Sequence, residues 1–356
     1  VVHHTVVYRE VGRYAGWPAN YGIWSWGDEI VVGFTVGHVD PEGGFHARDR
    51  TRPLVTMQAR SMDGGESWKA AEMPCRTPGG RALSADEHMV PALHVASVLD
   101  GALQSPPRGI DFSHPDFALM CARSGLRAGA RSWFYLSRDR CRTWAGPYSL
   151  PSFGQPGVAA RTDYIVSGAR TCTLCLTAAK TNGDEGRVFC ARTVDGGQSF
   201  SFRSWIGPEP AGYAIMPSSV RLPAGRVLTA VRRREQERCW IELYASEDDA
   251  LSWRHVGCPV SDTGRGGNPP AMIRLRDGRI CLTYGYRDPP YGMRAKLSDD
   301  DGLSWGPEIR LRDGAGNHDI GYPRTIERPD GQILTTYYWN DDAFGERYIA
   351  ATAWRA

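Results

Sequence analysis

The chain has 356 residues, 41% of them hydrophobic, and its 42 Lys and Arg against 40 Asp and Glu leave a net charge of +2. That balance, with no basic block, excludes a nucleic-acid footprint, and no apolar run reaches the length of a membrane span. Its nine cysteines are odd in number; Cys172, Cys175, Cys190, Cys239 and Cys281 lie in apolar runs and read as unpaired thiols of a reducing, cytoplasm-like compartment, with a leader removed ahead of Val1 left open.

Strand patterns and turn signals alternate along the whole chain. "HTVVYRE" is a lone strand near the N-terminus. "WPANYGIWSWGDEIVVGF" (17–34) is a strand, a Gly-bearing turn and a second strand, and "LVTMQARS" leads from there into Ser61-Met62-Asp63-Gly64-Gly65-Glu66-Ser67-Trp68. That octet returns four times, from Ser137, Thr193, Ser246 and Ser298, as Ser/Thr-x-Asp-x-x-x-Ser/Thr-Trp/Phe. The hairpin returns at 160–178, 216–233, 268–287 and 322–339, with a weaker version at 89–104 ("MVPALHVASVLDGALQ"). "ERYIAATAW" then supplies one last strand.

From Trp144 onward the octets recur every ~50 residues, close to the length of a four-stranded propeller blade. The fold expected is therefore all-β: a six-bladed β-propeller of four-stranded antiparallel blades, one domain over residues 1–356. N- and C-terminal strands close its ring, which removes the exposed edge of an open array. The octet aspartates are folding devices, accepting hydrogen bonds from the backbone of their own turns.

Innermost strands line a propeller's channel, and their entry loops meet on one face. The aligned hairpins place Trp17 with Asn20, Arg161 with Asp163, Met216 with Ser219, Asn268, and Tyr322 with Arg324 at equivalent positions there. Arg232, Arg234 and Arg287 end the paired second strands nearby. Guanidinium groups beside an aromatic hydroxyl suit an anionic sugar, because Arg grips carboxylates with a two-pronged fork. No cluster has metal-ligand spacing and no phosphate-cradling Gly loop appears, so neither metal nor cofactor is implied.

The boxes and hairpins together resemble the sialidase (neuraminidase) superfamily of six-bladed propellers with Asp-box, or BNR, repeats, from Trp17 to Trp354. The resemblance implies an exo-acting glycoside hydrolase that releases a terminal acidic or acid-linked sugar. Asp49, in the loop 12 residues before Ser61, takes the place of the family's acid/base Asp, with Arg48 beside it in the substrate-binding set. Tyr322 in "GYPRTIERPDG" takes the place of the nucleophilic Tyr, and Arg232 that of the second carboxylate-binding Arg. Gly16-Trp17-Pro18 stands where the family has Arg-Ile-Pro, and Met216 where it has the Glu that activates the Tyr. Arg287 and Arg294 compete for the third Arg.

These departures leave alternatives. Arg161, oriented by Asp163, can stand in for the missing Arg, and Arg324, Arg161 or His318 can partner Tyr322. His46 and His318 sit beside the two catalytic candidates, and imidazole as a residue type suits proton transfer near neutrality. A His/Tyr pair with a neutralised uronate also suits β-elimination, so a polysaccharide lyase or a rhamnosidase-type enzyme at a uronate linkage is a second reading. A non-catalytic glycan-binding propeller is a third. In each case the expected partner is a glycan or oligosaccharide, anionic for the enzymes.

Overall fold

Central strands of this chain are apolar on both faces, and outermost strands are not. Ala118–Arg123, Ser132–Ser137 and Tyr348–Trp354 are buried at every position, while Lys69–Glu72 is exposed throughout. Such strands fit sheets stacked face to face around a common axis, with only the last strand of each reaching solvent. The computed structural model describes residues 2–78, 82–83 and 103–356 and shows a six-bladed β-propeller of antiparallel sheets. Among the described residues, no helix is long and apolar enough to cross a membrane.

Blade one is built on Glu29–His38, which pairs on one side with Arg13–Gly16 and Ile23–Trp26 and on the other with Val55–Ser61. Blade two shows three strands among the described residues, Ala118–Arg123, Ser132–Ser137 and Ala145–Ser149. The weak hairpin read at 89–104 falls outside the described residues except for its last two. Blades three, four and five each run inner to outer in chain order, starting at Tyr164–Gly168, Tyr213–Arg221 and Ala271–Arg274. Blade six starts at Gly321–Glu327 and ends with the N-terminal strand: His3–Tyr8 pairs with Tyr348–Trp354, Thr5 opposite Ala351. The ring closes as the sequence implied. The five cysteines read as strand thiols are buried in strands.

The repeated octets share one geometry. Asp63 accepts from Ser67 N (2.9 Å) and Ser67 Oγ, and Asp195 accepts from Ser199 N (3.1 Å) and Oγ (2.6 Å). These bonds, the serine hydroxyl first, hold both carboxyls down at about 2. Where glycines are missing the backbone still turns left-handed, at Arg140 (φ 58°) and Cys141 (φ 62°). The turn is imposed by the box bonds, not by glycine.

Three inner strands share a second irregularity. Trp17, Met216 and Tyr322 all have left-handed φ (60°, 52° and 51°), and each precedes a proline. The ladder slips at two of them, between Ile215 and Ser218 and between Gly321 and Arg324. Proline has no N–H to lose from a ladder, so it tolerates such a bulge. A bulky side chain at positive φ is strained, and it persists only where surrounding structure holds it. In blades one and six that strained residue, Trp17 or Tyr322, lines one hollow, while in blade four Met216 is buried.

Candidate active site

The bulged residues Trp17 and Tyr322 line a cavity of about 240 Å³ with His46, Arg48, Arg161 and Arg232. Met216 itself is buried beneath it, and its neighbour Ile215 forms part of the wall. All six of those lining residues were singled out in the sequence. Arg50, Arg123, Glu185 and Tyr213 complete the wall and were not. Arg50 lies in a loop and Arg123 and Glu185 on strands outside the inner set, where alignment of inner strands gives no signal; Tyr213 opens the inner strand of blade four, three residues before the aligned Met216.

Tyr322 is held by its backbone. Asn268, wholly buried, accepts from Tyr322 N (2.9 Å) and Gly285 N (3.3 Å) and donates Nδ2–H to Ile320 O (3.0 Å). Gly321 and Gly285 make room for it: a Cβ on either would lie under 3 Å from the Asn268 amide. Asn268 was expected to touch substrate, but its amide is spent on Tyr322's chain. Arg287 is likewise turned inward, donating to Ile320 O (3.0 Å), Gly267 O (2.9 Å) and the Tyr338 hydroxyl (2.6 Å).

The Tyr322 hydroxyl accepts from Arg232 Nη1 at 3.0 Å. Arg232 donates also to Gly266 O (2.6 Å) and leans on the Met216 sulfur (3.6 Å). Burial pushes the phenol up, but Arg232, Arg287 and Arg161 outweigh it and hold Tyr322 below its ordinary value.

Five guanidinium groups and one carboxylate, Glu185, face this cavity, and Glu185 is already bound to Arg161 at 2.6 Å. Among the described residues Arg48 and Arg232 form no ion pair, and Arg48 Nη1 and Arg232 Nε are buried with no hydrogen-bond partner. Buried donors without partners are costly unless a ligand meets them. Arg48 stands over the Trp17 ring, 5.8 Å from its centroid.

His46 is oriented from far along the chain. Its Nδ1 donates to Asp319 Oδ1 at 2.6 Å, and Asp319, with no exposure, also accepts from Ala47 N (3.2 Å), the Tyr338 hydroxyl (2.8 Å) and Arg347 Nε (3.0 Å). Burial pushes the Asp319 carboxyl up; His46, Arg347 and Arg287 together hold it far below the usual carboxylate range. An ionised carboxylate only accepts, so Nδ1 carries the proton and Nε2 is left to exchange with the cavity. Sequence reading noted Asp319 only as the neighbour of His318; no local pattern joins positions 273 residues apart.

Four further candidates lie elsewhere. The loop carrying His46 folds back at Gly43, whose missing Cβ would sit 2.1 Å from Arg48 O. His46, Arg48 and Arg50 then face the cavity, while Asp49 does not line it. The Asp49 carboxylate accepts from Thr51 Oγ1 (2.7 Å) and Thr51 N (2.8 Å), bonds that lower its pKa. His318 Nε2 donates to Phe45 O (3.1 Å), pinning the loop, and burial lowers its pKa. Asp163 and Arg324 line a separate cavity with Ser218, Ser219 and Met272. There Asp163 accepts from Ser219 N (3.1 Å) and Oγ (2.7 Å), and burial pushes it up to about 6. Arg324 donates to Ala19 O (2.7 Å).

Fold and cavity together define a six-bladed propeller with an enclosed cationic hollow and a tyrosine at its floor. Residues 117–334 match the BNR repeat-like domain family, and the chain belongs to that family. No curated protein matches the chain in sequence. Among solved structures, a protein of unknown function from Dyadobacter fermentans superposes with a TM-score of 0.72 at 20% identity, over 99% of this chain and 98% of that one. The intramolecular trans-sialidase of Ruminococcus gnavus gives 0.61 at 11% identity, over 92% and 93% of the chains. An α-L-arabinofuranosidase of Fusarium graminearum gives 0.57 at 14%, over 97% of each. At these identities the likeness is one of fold.

Proposed function

We propose that this propeller is a glycoside hydrolase that breaks the glycosidic bond of an acidic or acid-linked sugar, with Tyr322 as nucleophile and His46 as general acid and base. The observation that carries the reading is the Tyr322 hydroxyl, hydrogen-bonded to an Arg232 that has no carboxylate partner, inside a cavity facing five guanidinium groups. Arg48, Arg161 and Arg232 bind the sugar's carboxylate, and Trp17 stacks on the ring. A carboxylate beside the anomeric carbon repels an anionic nucleophile, and a tyrosine paired with Arg carries less of that penalty. With its hydroxyl proton released and the charge met by Arg232, Tyr322 attacks the anomeric carbon as that carbon's bond to the leaving oxygen breaks, and the doubly protonated His46 gives its Nε2 proton to that oxygen. Water then enters, His46 takes its proton, and the Tyr322–sugar bond breaks. Asp319 holds the imidazole in place and stabilises its charged form.

A second reading is favoured by Glu185. The one carboxylate facing the cavity is tied to Arg161, so no free Asp or Glu accompanies His46 and Tyr322. The same pair serves β-elimination at a uronate: Tyr322 removes the proton next to the carboxylate and His46 protonates the leaving oxygen.

Incubation with a panel of sialosides and uronate-capped oligosaccharides, read by mass, tests both. Hydrolysis adds one water across the products; elimination adds none and leaves a conjugated enoate that absorbs in the ultraviolet. Tyr322→Phe and His46→Gln are expected to lower turnover by about 10²-fold or more with folding intact. Binding of these glycans with no cleavage selects a lectin-like propeller instead.

A further inference from the structure

The catalytic cavity opens into a second one. Leu126, Glu185 and Tyr213 belong to both, and the adjoining space is the larger, about 740 Å³ against about 240 Å³. In a ring of six, blade four stands opposite blade one, and blade three opposite blade six. Glu185 on blade three and Tyr213 on blade four therefore lie across the hollow from Tyr322 on blade six and from His46 and Trp17 on blade one, with Leu126 of blade two at the side. None of Tyr322, His46 and Trp17 lines the second cavity.

The second cavity also differs in charge. Lys180 donates to Pro210 O (3.4 Å) and Ala211 O (3.1 Å), and Arg127 pairs with Asp184 (3.6 Å). Two bases and two acids line it, counting the shared Glu185, against five arginines and one acid in the first. A balanced, hydrogen-bonding surface around a tyrosine ring suits a neutral, hydroxyl-rich ligand. Tyr213 stands at the junction, with the Arg232 guanidinium 5.6 Å from its ring centroid.

The direction of the substrate follows from the general acid. The leaving oxygen must lie within reach of His46, so the departing part of the glycan sits on the side of blade one. What remains of the substrate points the other way, toward blades three and four. Resting on the function proposed above, we infer that the second cavity is a subsite for a neutral sugar attached to the non-reducing side of the anionic one. Cleavage is then not confined to a terminal residue: the enzyme releases a disaccharide or cuts within a chain, in contrast to the exo action expected from the resemblance.

The test is a matched pair of substrates, the same anionic sugar on the same reporter, with and without a neutral hexose at its non-reducing end. The extended substrate is expected to have a kcat/KM about tenfold higher or more, since binding energy from remote groups is used at the reacting centre. Its released product is the disaccharide. Ala211→Trp, at the exposed edge of the second cavity, is expected to bring the ratio of the two constants close to one. Equal constants in the unmodified enzyme, or cleavage of the short substrate alone, overturn the subsite while leaving the functional reading intact. Failure of both substrates to react overturns both.

Discussion

Replacing Asn268 with alanine removes three hydrogen bonds at once. Tyr322 N, Gly285 N and Ile320 O are all left facing a void inside the protein, with no water at hand. A buried polar group stripped of its partner costs about 1–3 kcal/mol. Ile320 O keeps its Arg287 Nε donor at 3.0 Å, so two stripped N–H groups, partly relieved by relaxation, predict a loss of roughly 2–4 kcal/mol. The loss is not only one of stability: without the amide, nothing on the chain opposite holds Tyr322 at its left-handed φ of 51°. Urea unfolding followed by tryptophan fluorescence reads the first effect, and kcat for a cleaved glycan reads the second. Tyr322→Phe provides the contrast, losing turnover without losing stability, because its hydroxyl lies at the cavity and meets Arg232. Should Asn268→Ala unfold within about 1 kcal/mol of the unmodified protein and keep its turnover, the clamp is not what positions the tyrosine.

Two further outcomes are expected. Asp49→Ala should leave kcat within a few-fold of the unmodified enzyme, since its carboxylate serves Thr51 and not the cavity; a loss of about 10²-fold or more would return Asp49 to the role of general acid. Acid stability should follow the box aspartates: Asp63 and Asp195 titrate at about 2 when folded and at about 3.9 when unfolded. Their contribution is present above about pH 4 and is lost as pH falls from there toward 2. A thermal midpoint that stays level across that window, or Asp63→Asn and Asp195→Asn variants that decline as steeply as the parent, would count against it.

Much of the architecture was legible because it is written several times over. Five octets and the recurring hairpins set the blade length and the phase of every inner strand, so Trp17, Arg161, Arg232 and Tyr322 were found by alignment with their own repeats. Asp49 was misplaced for a reason of parity. Distance from the first octet chooses the loop, but the turn at Gly43 decides which alternate residues face inward, and it chose His46, Arg48 and Arg50. Asn268 and Arg287 were read as ligands for substrate because they are polar and near the channel. Their real partners are backbone atoms around the Tyr322 bulge and, for Arg287, the Tyr338 hydroxyl, which no strand pattern announces. Asp319 escaped because its partner His46 is fixed only after blades from distant parts of the chain have come together, and Glu185 because it stands on a third strand of Arg161's own blade, which the inner-strand alignment does not reach.

The pairing of His3–Tyr8 with Tyr348–Trp354 sets a timetable for biosynthesis. His3–Tyr8 precedes the five blades along the chain yet belongs to the last sheet, and it waits through their synthesis before its neighbour emerges. Until Trp354 is free, blade six lacks its outer strands and the cavity has no seam, so a nascent chain carries Tyr322 before it has a finished enzyme around it. Moving those six residues to follow Ala356, a modest circular permutation, would let the ring close from one end and shorten that interval.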